Sequence, residues 1–258
     1  MRNFDNTKRE PLMQESAYRT SVKLKQGNYV EVDVIRYLAK KSKDYEKQRS
    51  ISWSWVFSHL ELLIQRYSGG EPIEDLGPFA EQVFAQFARH QQSFPDFCLQ
   101  PQEPDAYQYI LWLLALATLF DMPERIAHIT SWISCAPNGT QDALLSRLFA
   151  RVGAPLKAGE ILHKRPYSEL FSVLNSTGPE QQLHMSRYLK QWYSCLRRCY
   201  WHGRDKRPAS GFFGYWAFEA GMVTLLWNID DTPYRELPYY PKDLVDHARA
   251  NHGATPQP

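Results

Sequence analysis

The chain has 258 residues and a formal net charge of +2, with 43% hydrophobic and 22% charged residues. That composition excludes a largely disordered chain, and the near-balance of charge argues against a strongly basic nucleic-acid binder or a globally acidic decoy. The length suits one large domain or two smaller ones, with enough core to need neither a metal nor a disulfide staple.

Residues 1–14 are polar and charged, lack the apolar core of a secretory signal, and read as a loose tail. A first helix is expected over 29–47, with Val30, Val34, Leu38 and Tyr45 roughly on one side and Lys40, Lys41, Lys43 and Lys47 on another. A second covers 51–67 and stops at Ser68-Gly69-Gly70. A third spans about 76–92 with Phe79, Val83, Phe84 and Phe87. Three prolines between Ser93 and Pro104 make that segment a loop. Pro104-Asp105 opens an apolar helix to Phe120, too short for the ~20 residues a membrane span needs, so it reads as a buried core helix.

Pro123 starts the next helix, to about Cys135, because proline is tolerated in a first turn. Asn138-Gly139 reads as a turn, and 140–152, 166–174 and 178–201 as helices. The polar stretch 202–210 precedes an apolar helix over 212–227. Residues 237–241 read as extended, and 242–249 as a closing helix. No alternating strand pattern of useful length occurs. The expected fold is all-α: an N-terminal helical domain over 15–140, a C-terminal one over 141–250 and a tail over 251–258. The four cysteines, Cys98, Cys135, Cys195 and Cys199, do not form a disulfide pattern. Reduced thiols and a cytoplasmic location are the expectation.

Charge is unevenly distributed. Residues 1–69 are net basic, 126–258 are net basic, and 70–125 hold two basic residues, Arg89 and Arg125, among many acids. Glu71, Glu74, Asp75, Glu81, Asp96, Glu103 and Asp105 are therefore candidates for an acidic face toward a basic partner. The competing reading makes several acids helix caps or first-turn residues, a role that fits Asp105, Asp121 and Glu124.

Signatures of chemistry are scarce. There is no phosphate loop, no G-x-G-x-x-G, no His-Glu-x-x-His and no G-x-S-x-G. Cys195, Cys199, His202 and His184 could be assembled into a zinc site, but the paired C-x-x-C spacing of structural zinc modules is missing. His163-Lys164-Arg165 and Arg197-Arg198 with Arg204, Lys206 and Arg207 are small basic clusters, best read as solvated helix faces. Asp230-Asp231 suits backbone capping in a turn better than acid–base work. No cofactor is expected.

The most specific region is 201–246. It holds Trp201-His202-Gly203, then Gly214-Tyr215-Trp216-Ala217-Phe218-Glu219, then Ile229-Asp230-Asp231, then Tyr239-Tyr240-Pro241-Lys242-Asp243-Leu244-Val245. Glu219 is the odd residue of an apolar helix. If buried it needs partners, with Arg204, Arg207, Tyr239 and Tyr240 as candidates. Trp216 and Ala220, four apart, would share a helix face.

These motifs, in this order, resemble the C-terminal domain of the PoNi-type immunity proteins. The N-terminal half is similar to that family's partner domain, through a long charged helix, a helix ending in Arg66-Tyr67-Ser68-Gly69-Gly70, and an acidic start at Glu71. The resemblance implies a two-domain, all-helical, non-enzymatic protein that neutralises a cognate antibacterial DNase toxin by stoichiometric complex formation. It also implies a toxin delivered by a contact-dependent or type VI route. The partner is then the secreted nuclease, with no direct nucleic-acid or membrane contact, while the 8 Trp, 15 Tyr and 13 Phe leave room for an exposed aromatic surface and a homodimer. Two rival classes are a helical enzyme built on Glu219, His202 and Asp230-Asp231, and a nucleic-acid binder using 187–207.

Overall fold

The protein, described by a computed structural model over residues 3–41, 43–134, 141–206 and 211–252, is all-α, with no strand among the described residues. Its contacts divide it into two units. One comprises 1–97 and 203–215, the other 98–202 and 216–258. The expected turn at Asn138-Gly139 and the residues Thr140 and Arg207 lie outside the described residues.

In the first unit, α1 (Phe4–Thr7) and α2 (Glu15–Lys25) precede a π-helical turn (Gln26–Val30), α3 (Val34–Lys41), α4 (Tyr45–Ser68) and α5 (Ile73–Ser93). The expected helix over 29–47 is broken, because Asp44 caps a new one: its side chain accepts from Lys47 N at 2.7 Å. α2, absent from the sequence expectation, has its apolar positions spread thinly, with only Tyr18 buried. The segment expected to be a loose tail is packed instead. Phe4 and Met13 are buried, and the backbone amides of Arg9 and Glu10 donate to Ser68 O at 2.8 and 3.1 Å. The Arg9 guanidinium adds bonds to Tyr67 O and Glu71 O. The amides of Arg9 and Glu10 thereby serve the last carbonyl of α4, which has no acceptor role within the helix. Gly70, at φ +83°, is required here, since a Cβ would lie 1.9 Å from Thr7 O. Leu60, Leu63, Ile64 and Tyr67 of α4 and Leu76, Phe79, Val83, Phe84 and Phe87 of α5 form the core of this unit.

The second unit is built around α6 (Pro104–Leu119), buried continuously from Tyr107 to Leu119. A helix that is apolar on every side belongs in an interior, as the sequence implied. It packs on α7 (Pro123–Ser134), α11 (Phe218–Leu226) and α12 (Lys242–His252). α8 (Ala143–Arg151) leans on α9 (Lys164–Asn175), and α9 pairs with α10 (Gly178–Cys195). α10 is shorter than expected, because the chain turns at Leu196 and Tyr200 N donates to Asp105 Oδ1 at 2.9 Å. α11 also begins later than expected. Gly211 and Gly214 hold φ of 69° and 102°, a region closed to most residues in a helix. Gln65 Nε2 and Ser68 Oγ meanwhile donate to the carbonyls of Phe212 and Phe213. Trp216 thus precedes the helix and does not share a helical face with Ala220. Residues 237–241 turn rather than extend, with Tyr239 at φ 72°.

Cys98 is disulfide-bonded, which corrects the expectation of reduced thiols; Cys195 and Cys199 are free. No helix among the described residues is long and apolar enough to cross a membrane.

Candidate functional site

The motif residues of the second unit converge on Glu219. It stands in the first turn of α11 with no solvent exposure. Tyr188 O–H and Trp192 Nε1–H, both from α10, donate to its Oε1 at 2.6 and 2.7 Å. Gln108 Nε2 from α6 reaches Oε2 at a longer 3.4 Å, while Tyr167 O–H from α9 donates to Gln108 Oε1 at 2.7 Å. Four helices are therefore tied through one carboxylate. Burial pushes the Glu219 carboxyl above its ordinary range, and the three donors oppose that push only in part.

Three of the four partners expected for Glu219 are engaged elsewhere, and the fourth, Arg207, lies outside the described residues. Arg204 pairs with Glu61, Tyr240 donates to Asp231, and Tyr239 packs its ring on Trp192 and Tyr193. The true partners are Gln108, Tyr188 and Trp192.

Aromatic rings surround this network. Trp201, 1% exposed, stacks on Trp192 with centroids 5.1 Å apart and planes at 16°, and lies 5.8 Å from Trp112. Trp112 Nε1 donates to Trp216 O at 3.0 Å. Ala217 N donates to Tyr239 O, so the segment before α11 is laced to the Tyr-Tyr-Pro turn. Pro241 and Val245 crowd Gly221 so closely that a Cβ there would stand 2.8 and 3.0 Å from their side chains. Asp243 lies in the first turn of α12, where a carboxylate is favourable.

The neighbouring aspartates divide their work. Asp230 forms a turn, accepting from Thr232 N and Oγ1 at 3.1 and 2.6 Å. Asp231 is buried and bound by Arg249 at 3.0 Å, Tyr240 at 2.9 Å and Arg235 at 3.1 Å. Burial works against its charge, but these partners hold its carboxyl below the usual range. This cluster pins the 229–235 turn to α12.

In the first unit, Gly214 lets the chain bend so that Tyr215 N donates to Glu10 Oε2 at 3.1 Å, while Tyr215 O–H donates to Asp205 Oδ1 at 2.7 Å. Buried Glu61 accepts from Lys25 at 2.8 Å and Arg204 at 2.9 Å.

The acidic candidates have different fates. Glu71 is bound by Arg66 at 2.7 Å and by Tyr18 O–H at 2.7 Å. Asp96 accepts from Tyr45 O–H and pairs with Arg49 at 2.8 Å. Asp105 accepts Tyr200 N. Glu74 and Asp75 are exposed in the first turn of α5, Glu81 is half-buried about two turns further along, and Glu103 is exposed at the N-cap of α6. Glu71, Glu74, Asp75, Glu81 and Asp96 belong to one unit, and Glu103 and Asp105 to the other.

The groups an enzyme would need stand in separate contacts. Glu219 is enclosed by its donors, His202 stacks on Tyr193 at 4.2 Å, and Asp230 and Asp231 serve the turn. No group of three or more His, Cys, Asp or Glu side chains able to hold a metal occurs among the described residues. His184 instead meets Glu169 at 2.7 Å. Burial drives the Cys199 thiol up to about 12, leaving it neutral and unreactive.

A solved structure, the crystal structure of protein PA2201 from Pseudomonas aeruginosa, is similar in fold at a TM-score of 0.71 and 19% identity, covering 93% of this chain and 90% of that one. No curated protein matches. Residues 9–131 match the family model described as PoNe immunity protein (PoNi), N-terminal, and residues 140–244 match PoNe immunity proteins (PoNi), C-terminal. Two consecutive matches over most of its length place the chain in the PoNi family of PoNe immunity proteins.

Proposed function

We propose that the chain is an immunity protein that binds and neutralises a cognate antibacterial DNase toxin by forming a stoichiometric complex, without turnover. The observation that carries this reading is the ordered match of both halves of the chain to the two PoNi domains. The buried networks support it from another side: they spend the chain's carboxylates on holding helices together. A cytoplasmic location, and a toxin delivered by a contact-dependent or type VI route, complete the proposal.

A nuclease must present cationic surface to a polyanion. Glu74 and Asp75, exposed at the start of α5, with Glu81 on the same helix, offer charge of the sign that would meet such a surface. Glu71, Asp96 and Asp105 each serve an internal partner as well.

The test is co-expression with the nuclease-like product encoded beside this gene. A co-eluting complex and restored growth of the toxin-expressing host are the expected results. Separate elution with continued killing would overturn the assignment.

A further inference from the structure

A hollow of about 120 Å³ opens in the second unit where the start of α9 meets the end of α10. Arg165, His163 and Tyr167 line it from one side, and Cys195, Arg198 and Cys199 from the other. Both arginines are exposed, and neither makes an ion pair or hydrogen bond among the described residues. That sets them apart from Arg66, Arg204, Arg235 and Arg249, each of which is held by a carboxylate.

Two arginine residues from different helices line one small hollow, an arrangement in which one anion can meet both. The end of α10 carries partial negative charge, which accounts for basic residues just beyond it, such as Arg197 and Arg198. It does not account for Arg165, which comes from a different helix and leaves the helical path there, with φ −106° and ψ 126°.

Asp105 accepts from Tyr200 N and from the Cys199 thiol, and its negative charge is the one acidic contribution beside the hollow among these residues. That thiol, pushed up to about 12 by burial, contributes no charge. His163 Nε2 stands 2.8 Å from Pro101 O, which can only accept, so that nitrogen carries a proton. Lys164 and Arg197, both exposed, are the chain neighbours of Arg165 and Arg198, so basic side chains outnumber Asp105 along these two segments.

We propose that this hollow is a binding site for a single oxyanion headgroup, a phosphate or a carboxylate, clamped between Arg165 and Arg198. The forked guanidinium suits either group, because two parallel N–H bonds match two oxygens. The volume admits the headgroup and little more.

The proposal goes beyond the immunity reading and is tested without any toxin, so its failure leaves that reading untouched. The full chain is titrated with inorganic phosphate and, separately, with acetate, while the arginine side-chain N–H resonances are followed by NMR. Saturable shifts at Arg165 and Arg198, with exposed Arg187 unmoved, are expected. R165Q and R198Q should each weaken binding by about tenfold with unchanged thermal unfolding. Tighter phosphate than acetate assigns a phosphate group, and the reverse assigns a carboxylate. Shifts that grow linearly and equally at Arg187, or that persist in both variants, overturn the site.

Discussion

Trp192 donates its indole N–H to Glu219 Oε1 across 2.7 Å, joining α10 to the first turn of α11 inside the second unit. Tyr188, one helical turn earlier on α10, donates to the same oxygen. The odd carboxylate of an apolar helix is thereby a junction between helices, and its removal leaves two buried donors facing nothing.

Glu219→Ala should therefore destabilise the protein by about 3–4 kcal/mol, from unsatisfied donors together with a small cavity. Glu219→Gln keeps one acceptor oxygen and should cost clearly less. Urea denaturation of both variants checks the order, and an alanine variant as stable as the parent would remove the junction from the account.

The same residue fixes a pH dependence. Its folded-state pKa is raised, first by burial. The stabilising contribution is then full below the ordinary carboxylate pKa and is lost as pH rises through the folded value. Asp231 runs the other way: Arg249, Tyr240 and Arg235 overcome its burial and hold it low, so its contribution is lost as pH falls. In Glu219→Gln the decline in stability above the carboxylate range should shrink. In Asp231→Asn the decline on acidification should shrink, at a cost of about 2 kcal/mol near neutrality because Arg235 and Arg249 lose their shared partner. Denaturation midpoints across the acidic-to-neutral range report both slopes.

Gly221→Ala puts a methyl 2.8 Å from Pro241 and 3.0 Å from Val245. Shifting α12 or the Tyr-Tyr-Pro turn to make room should cost about 1–3 kcal/mol. Thermal unfolding measures the loss. Hydrogen exchange should place it in α11 and α12.

These contacts show what the sequence made legible. The apolar run from Ile110 to Phe120 announced α6 as a core helix, and Ser68-Gly69-Gly70 announced the end of α4. Periodicity failed where side chains far away in sequence hold the backbone. Nothing near Phe212 or Phe213 says that Gln65 and Ser68 will bind their carbonyls. Nothing near Arg9 says that it will cap α4. Glu219 could be singled out as an anomaly, yet its partners could not be named, because Gln108, Tyr188 and Trp192 are ordinary residues of other helices. The acidic candidates were read from local charge alone, which does not show that Arg66 and Tyr18 already occupy Glu71.

Charge reversal at the exposed start of α5 tests its part in the interface. Glu74→Lys with Asp75→Lys should leave the fold intact apart from about 0.5–1 kcal/mol per site of lost helix-end favour. It should slow association with the toxin and reduce its salt dependence. Glu71→Lys should instead destabilise the first unit by losing both Arg66 and Tyr18 as partners. Stopped-flow association rates, read beside melting curves, distinguish the two effects. An unchanged rate for the double variant would remove α5 from the interface.

The most direct measurement is a titration of DNA cleavage. The purified nuclease encoded beside this gene is held at fixed concentration while the chain is added. The account expects cleavage to fall linearly to near zero and break at one equivalent, as tight stoichiometric inhibition requires. Full cleavage with the chain in excess would contradict it.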